Sequence, residues 1–242
     1  MKSWFLILLL VVFFVDSFAQ KKDKHDQTVG YHHIFYSGIQ INTNGLGGGL
    51  RRGFHQTVRK KKLYEIDFTT LKNPREVKML SSDGEDGFVF AKKNSAFNLR
   101  FGWGQHNIIA YKPIGEGVEL KTIYTFGVTT TFLKPIYYYM AYGNNQTVSL
   151  EKFDEQQHNV YNVVRSGPYY KGFNEIAVQP GIFGKFALNF EYAAEKSSIR
   201  SLELGAVVDG YYKDVEILAF ADNHPIIVSL YISLQFGKKW YR

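Results

Sequence analysis

Between Ile226 and Phe236 every second residue is bulky and apolar: Ile226, Val228, Leu230, Ile232, Leu234 and Phe236. The residues in between, Ile227, Ser229, Tyr231, Ser233, Gln235 and Gly237, are mostly small or polar. A β-strand turns successive side chains to opposite faces, so this alternation predicts a strand with one apolar face. The same period recurs along the chain. Val29–Ile41 aligns Val29, Tyr31, Phe35, Ile39 and Ile41, and Asn42-Thr43-Asn44-Gly45 supplies turn chemistry after it. Leu63–Leu71 sets Tyr64, Ile66 and Phe68 against Glu65, Asp67 and Thr69. Phe97–Trp103 sets Phe97, Leu99, Phe101 and Trp103 against Asn98, Arg100 and Gly102. Val118–Val128, Ile182–Tyr192, Ile199–Val208 and Pro225–Gly237 extend the series, while Arg52 and Gln56 interrupt the Leu50/Phe54/Val58 face of Leu46–Val58. Ile136–Tyr142 and Phe88–Ala91 are shorter candidates. With almost no helical periodicity, the prediction is all-β.

The gaps are unequal. Glu195-Lys196-Ser197-Ser198 is a tight link, whereas 72–94, 143–180 and 211–224 are long and polar. The expected fold is a closed antiparallel up-and-down β-barrel of eight to ten strands, spanning residues 29–242. Alternation does not say which face looks inward. A soluble lipocalin-like barrel hides its apolar face, and a transmembrane barrel displays it. The polar face separates the two. Much of it is small (Gly102, Gly104, Gly127, Ala187, Asn189, Gly205, Ser229, Ser233, Gly237), as a narrow lumen requires. Its charges come in both signs: Glu65, Asp67, Arg100, Glu119, Lys121, Lys185, Glu191, Glu203 and Asp209. A confined interior pairs such groups, whereas one Lys facing lipid at mid-depth costs ~2–4 kcal/mol. The transmembrane arrangement is the preferred reading, with these nine residues as a lumen-facing polar network. The soluble binding barrel is the alternative.

Residues 1–19 carry the marks of a cleaved export signal. Lys2 precedes the apolar run Trp4–Val15, and Ser17-Phe18-Ala19 offers small residues at a cleavage site. That run falls short of the ~20 residues a membrane-spanning helix needs. Residues 20–28 are strongly charged and expected to form a mobile lead-in. The absence of Cys excludes disulfides, thiolate chemistry and lipoprotein anchoring. Through its export signal and its final strand Ile226–Phe236, the chain resembles small Gram-negative outer-membrane β-barrel proteins. The resemblance implies residence in the cell outer membrane and contact with outer-membrane lipids, including lipopolysaccharide. It also implies handling by the outer-membrane insertion machinery, which reads a terminal aromatic residue. Phe236 and Trp240 are the candidates for that insertion signal. Members of the family usually end on this aromatic, whereas Gly237-Lys238-Lys239-Trp240-Tyr241-Arg242 follow Phe236 here.

Composition adds a formal charge of +7 and 17% aromatic residues. In an exported protein an anionic lipid or glycan is a better partner for that charge than nucleic acid. The densest basic stretch runs from Arg51-Arg52 to Arg59-Lys60-Lys61-Lys62. Arg59, Lys60, Lys61 and Lys62 are candidates to contact lipid phosphates or an acidic partner, with a solvated turn as the plain alternative. Segment 143–180 is long for a connection and rich in aromatics, so Tyr161, Tyr169, Tyr170 and Phe173 are candidate partner contacts. Gly45-Leu46-Gly47-Gly48-Gly49 lacks the ending of a phosphate loop and reads as strand flexibility or close backbone packing.

None of the seven His residues lies in a nucleophile-elbow or metalloprotease spacing. Asp154-Glu155 with His158, Asp222 with His224, and Asp83-Gly84-Glu85-Asp86 read better as loop polarity than as metal sites. Asn145-Gln146-Thr147 fits a glycosylation sequon, which carries no information in a bacterial chain. No cofactor and no metal are expected. The functional expectation is a non-enzymatic structural or accessory subunit of an outer-membrane assembly or transport complex, acting through its loops with another envelope protein. A narrow pore and a lipid-A-modifying barrel enzyme remain as alternatives.

Overall fold

The computed structural model describes residues 33–55, 60–80, 87–111, 117–142, 147–193 and 197–240. The strands in chain order are β1 (His33–Asn42), β2 (Gly45–His55), β3 (Lys60–Leu71), β4 (Lys78–Met79), β5 (Phe88–Val89), β6 (Asn94–Ala110) and β7 (Glu119–Pro135). They continue with β8 (Tyr137–Tyr142), β9 (Thr147–Lys152), β10 (Val163–Ser166), β11 (Ala177–Glu191), β12 (Ser198–Tyr211) and β13 (Ile226–Trp240). Eight of them close an antiparallel barrel in the order β1-β2-β3-β6-β7-β11-β12-β13, and β13 pairs back onto β1 from Asn42↔Tyr231 to His33↔Trp240. Closure leaves no sheet edge, which is the condition for a β-structure to exist in hydrocarbon.

The wall has eight strands, and ten is excluded. Ile136–Tyr142 is a strand but not a wall strand. Past Pro135 the chain has left the rim, and Tyr138 and Met140 pack on Phe88, Ala91, Phe153 and Val163 instead of facing lumen or surroundings. Only Phe88–Val89 of the Phe88–Ala91 candidate is extended, and it pairs with β4 outside the wall. β6 and β7 run further than their clean alternation, through Gln105-His106-Asn107 and Thr129-Thr130-Thr131, where polar residues sit on both faces.

The two rims differ. The strand ends His33, His55, Lys60, Ala110, Glu119, Glu191, Ser198 and Trp240 lie at one, here called the terminal rim. The other carries the Thr43-Asn44 turn and the long segments 72–93, 136–176 and 212–225. Their described parts are folded. β8 lies between β9 and β10 in a three-stranded sheet, β4 and β5 form a short hairpin, and Phe173–Glu175 makes one 3₁₀ turn. The Tyr138 hydroxyl, buried under the sheet, bonds the carbonyls of Val89 (2.7 Å) and Lys92 (2.9 Å). Val215 and Ile217 pack into the mouth of the barrel against Leu71, Ala96, Leu133 and Tyr211.

Candidate functional site: a filled lumen, an apolar wall and an aromatic loop face

Period-2 geometry sorts the wall residues into two sets. Outward positions are exposed and apolar: Ile39 (68% exposed), Ile66, Phe68, Phe101, Phe126, Val128, Ile182, Leu230 (59%) and Ile232 (54%). Nothing among the described residues covers this band. Aromatic side chains pair along the band, Trp103 on Phe126 at mid-height and Tyr124 on Phe186, each with ring centroids 5.2 Å apart. Phe236 and Trp240 are both outward and exposed.

Inward positions hold the charge. Every Asp and Glu on the eight wall strands (Glu65, Asp67, Glu119, Glu191, Glu203, Asp209) faces the lumen. So do the cations Arg51, Lys61, Arg100, Lys121, Lys185 and Lys239, which match them in number. The pairing is in tiers. Nearest the long segments, Arg100 grips Asp209 with two bonds of 2.7 and 2.6 Å and donates to Thr69 Oγ1. In the middle, Arg51 joins Glu65 (3.2 Å) to Glu203 (2.8 Å), while Lys185 joins Glu65 (3.2 Å) to Asp67 (2.7 Å). Toward the terminal rim, Lys121 meets Glu119 and Glu191, and Glu191 also takes Lys239. Glu203 further accepts the Tyr231 hydroxyl and the Gln235 amide, each at 2.6 Å. Charges removed from water need such multiple partners, because a lone buried ion is strongly disfavoured.

Apolar side chains fill the remaining space. Ile34, Tyr36, Leu63, Ile123, Phe183, Ala187, Ile199, Val207 and Tyr231 form one buried cluster inside the barrel. The glycines of β2 belong to this packing. A Cβ on Gly49 would lie 1.9 Å from Asp67 Oδ1, and one on Gly53 would lie 2.5 Å from Ile34. In the run itself the backbone is close: a Cβ would lie 2.2 Å from the Thr70 carbonyl oxygen at Gly45, 2.5 Å from that of Phe68 at Gly47 and 2.9 Å from that of Gly38 at Gly48.

The structure brings together all nine residues of the expected network, with Glu119 the least buried. It adds Arg51, Lys61, His106 and Lys239, whose strand parity is the signal that marks them. Lys61 corrects its grouping with Lys60 and Lys62. It alternates inward between them, is buried, and lies on the lumen side opposite His106 in the β3–β6 pair. Lys60 is exposed and Lys62 partly exposed on the outer wall, while Arg59 lies outside the described residues. His106 shares a 3.1 Å bond with the Tyr36 hydroxyl.

On the long-segment side, Tyr161 (91% exposed), Tyr169, Tyr170 and Phe173 project from the surface. Lys134 is pinned beneath two of them, 4.0 Å from the Tyr169 ring centroid and 5.0 Å from that of Phe173, with its ammonium donating to the Tyr169 carbonyl. Lys152 and Tyr137 bind Glu175, tying the 3₁₀ turn to the sheet. They hold its carboxyl below the usual carboxylate range, Lys152 contributing most.

The loop polar groups do not converge on a metal. His158 accepts the Asp154 amide at Nδ1 and shares a 2.6 Å bond with Tyr142 at Nε2, while Glu155 pairs with Lys93 (2.8 Å). Asp222 pairs with Arg75 (3.2 Å). Asp83 to Asp86 lie outside the described residues, as do Asn145 and Gln146. Among the described residues no group of three or more His, Asp or Glu is placed to hold a metal ion.

No protein-family model matches the chain, and no curated protein matches it in sequence. Among solved structures it is similar to Neisserial surface protein A, with a TM-score of 0.44 and 8% identity over 86% of this chain and 96% of that one. It is also similar to the attachment invasion locus protein of Yersinia pestis, with a TM-score of 0.38 and 7% identity over 86% and 95%. A third is a major outer membrane protein from Thermus thermophilus, with a TM-score of 0.36 and 13% identity over 86% and 97%.

Proposed function

We propose that the chain is an integral outer-membrane barrel that works as a structural or accessory subunit of an envelope assembly, without catalysis, through its long-segment face. The membrane part rests on inside-out polarity. A wall of exposed Ile, Leu, Val and Phe around a charge-paired interior suits hydrocarbon outside, and would leave a soluble barrel with its apolar surface in water. The rim asymmetry, with the long segments gathered on one rim, fits the usual placement of long loops outside the cell. An export signal ending at Ala19 would deliver the chain there.

The subunit part rests on one observation. Segment 136–176 folds into its own three-stranded sheet over an apolar core, yet leaves Tyr161, Tyr169, Tyr170 and Phe173 in the open. A rigid platform bearing exposed aromatics is the anatomy of a protein contact. A photo-crosslinker at position 161 or 170 in cells tests this. A discrete adduct with one envelope protein, lost when Phe173 and Tyr169 become Ser, is the expected result. Recovery of uncrosslinked protein alone from both positions would overturn the subunit role while leaving the membrane assignment standing.

A further inference from the structure

The outer wall carries charge of one sign, concentrated on one side of one rim. Outward-facing charges on the wall strands are Arg52, Lys60, Lys62, Arg200 and Lys238, apart from Lys134, which is capped by Tyr169 and Phe173 at the opposite rim. The five lie within a few residues of the strand ends at the terminal rim. Their strands, β12, β13, β2 and β3, together with β1, form a continuous arc of the barrel. Register brings them close. Lys238 pairs with Phe35, Phe35 with Arg52, and Arg52 with Tyr64, while Phe54 pairs with Lys62 and Arg200 with Phe236. Arg52 lies over the Phe54 ring at 5.2 Å.

Among the described residues the strands of the remaining arc bear no outward charge at this level. β6, β7 and β11 present Gln105, Asn107, Ile109, Leu120, Thr122, Leu188 and Phe190 there. Because every wall carboxylate faces the lumen, no wall Asp or Glu competes for these cations. Among the described residues Arg52, Lys62, Arg200 and Lys238 form no ion pair. Stems of this length can lie along an apolar wall while their charged heads reach past its border toward the level of lipid phosphates.

We propose that this arc, from β12 to β3 at the terminal rim, is a binding surface for anionic glycerophospholipid headgroups of the leaflet at that rim. The inference rests on the membrane reading above. It adds a lipid class and a side of the barrel, with Arg200, Lys238, Arg52 and Lys62 meeting the phosphodiester. Trp240 and Tyr64 stand beside them at the border and order the same headgroup layer.

From residue 20 onward the chain carries Trp103 and Trp240 as its only tryptophans, both exposed on the outer wall, so quenching by brominated lipids reports which lipids surround it. The chain from residue 20 onward is refolded into phosphatidylcholine vesicles containing either brominated phosphatidylglycerol or brominated phosphatidylcholine at equal mole fraction. Severalfold stronger apparent association of phosphatidylglycerol is expected. It should fall toward equality in half-molar salt and in the R52Q/K62Q/R200Q/K238Q variant. The milder R52Q/K238Q pair should give an intermediate value if the fourfold variant folds poorly. Inorganic phosphate at constant ionic strength should leave the preference unchanged. Equal quenching by both lipids in the unaltered chain, an undiminished preference in the variants, or full competition by inorganic phosphate would each overturn the proposal. Failure of brominated phosphatidylcholine to quench at all would sink the membrane reading, and this inference with it.

Discussion

Gly49 stands directly across the β2–β3 pair from Asp67, with room for a hydrogen and nothing larger: a Cβ there would lie 1.9 Å from the carboxylate Oδ1. Asp67 is in turn bound to Lys185 at 2.7 Å. Gly49→Ala should push the carboxylate off its partner and cost ~1–3 kcal/mol as an overpacked core does. Gly184 faces outward with nothing within 4 Å of an added Cβ, so Gly184→Ala should change stability by less than about 0.5 kcal/mol. Urea unfolding of the refolded protein, followed by tryptophan fluorescence, compares the two. Equal losses would mean that inner-face packing does not explain the glycines.

The Arg100–Asp209 tier offers a cleaner test of lumen pairing, since neither group shares an ion pair with another residue in the described lumen. Asp209→Asn leaves a buried guanidinium with reduced compensation and should cost about 3–5 kcal/mol. Replacing both, as in R100M/D209L, should cost distinctly less than Asp209→Asn alone. A double variant as damaged as the sum of its parts would show that the two groups do not act as a pair.

A narrow lumen packed with Leu63, Ile123, Phe183 and paired charges should offer ions little room. Purified protein in planar bilayers should give no stepwise conductance. Steady single-channel openings at low voltage would revive the narrow-pore alternative.

Leu230 lies on the outward face, 59% exposed, with apolar outward neighbours on its own strand. If hydrocarbon surrounds it, Leu230→Arg should lower the free energy of folding into bilayers by about 2–4 kcal/mol. The same change in a water-exposed wall would be near neutral. Arg52→Leu, close to the terminal rim, should be tolerated in either case. A neutral Leu230→Arg would therefore count against a lipid-facing wall.

The Glu175 carboxyl is held low by Lys152 first and Tyr137 second, so it helps fasten the 3₁₀ turn to the sheet. A carboxyl with a depressed folded pKa contributes above its unfolded value and loses that contribution as pH falls through the folded one. The tether should persist at neutral pH and release only in acid, below the ordinary Glu range. A ¹³C carboxyl titration in micelles should show a low midpoint that moves up in Lys152→Gln. An ordinary midpoint, unmoved by that substitution, would remove the tether.

Much of the wall is readable in the sequence because hydrophobic alternation is a direct print of strand geometry. Tyr64, Glu65, Ile66, Asp67 and Phe68 fall alternately outside and inside as their pattern dictates. Where both faces have similar polarity the print fades. Thr129 to Thr131 gives no contrast, so β7 looked shorter than it is. Leu63, Ile123 and Phe183 are apolar yet inward, because a narrow lumen is itself a packed core with few places for water. The lysine run hid Lys61 because side-chain type suggested one role for all its members, while parity assigns alternate ones. Tyr137–Tyr142 is recognisable as a strand, but its partners Lys152 and Arg165 are set by the fold of the whole 136–176 segment, which local pattern does not encode.

The ion bridges inside the barrel tie early strands to late ones: Arg51 is 152 residues from Glu203, and Lys185 is 118 from Asp67. A growing or partly assembled chain thus bears half-bridges with no counterpart, and a fragment ending before β12 would carry unmatched ions into oil. Incremental, strand-after-strand entry is penalised by this wiring, which favours a concerted arrival in which the last strand completes both the hydrogen-bond ladder and the set of ion bridges within.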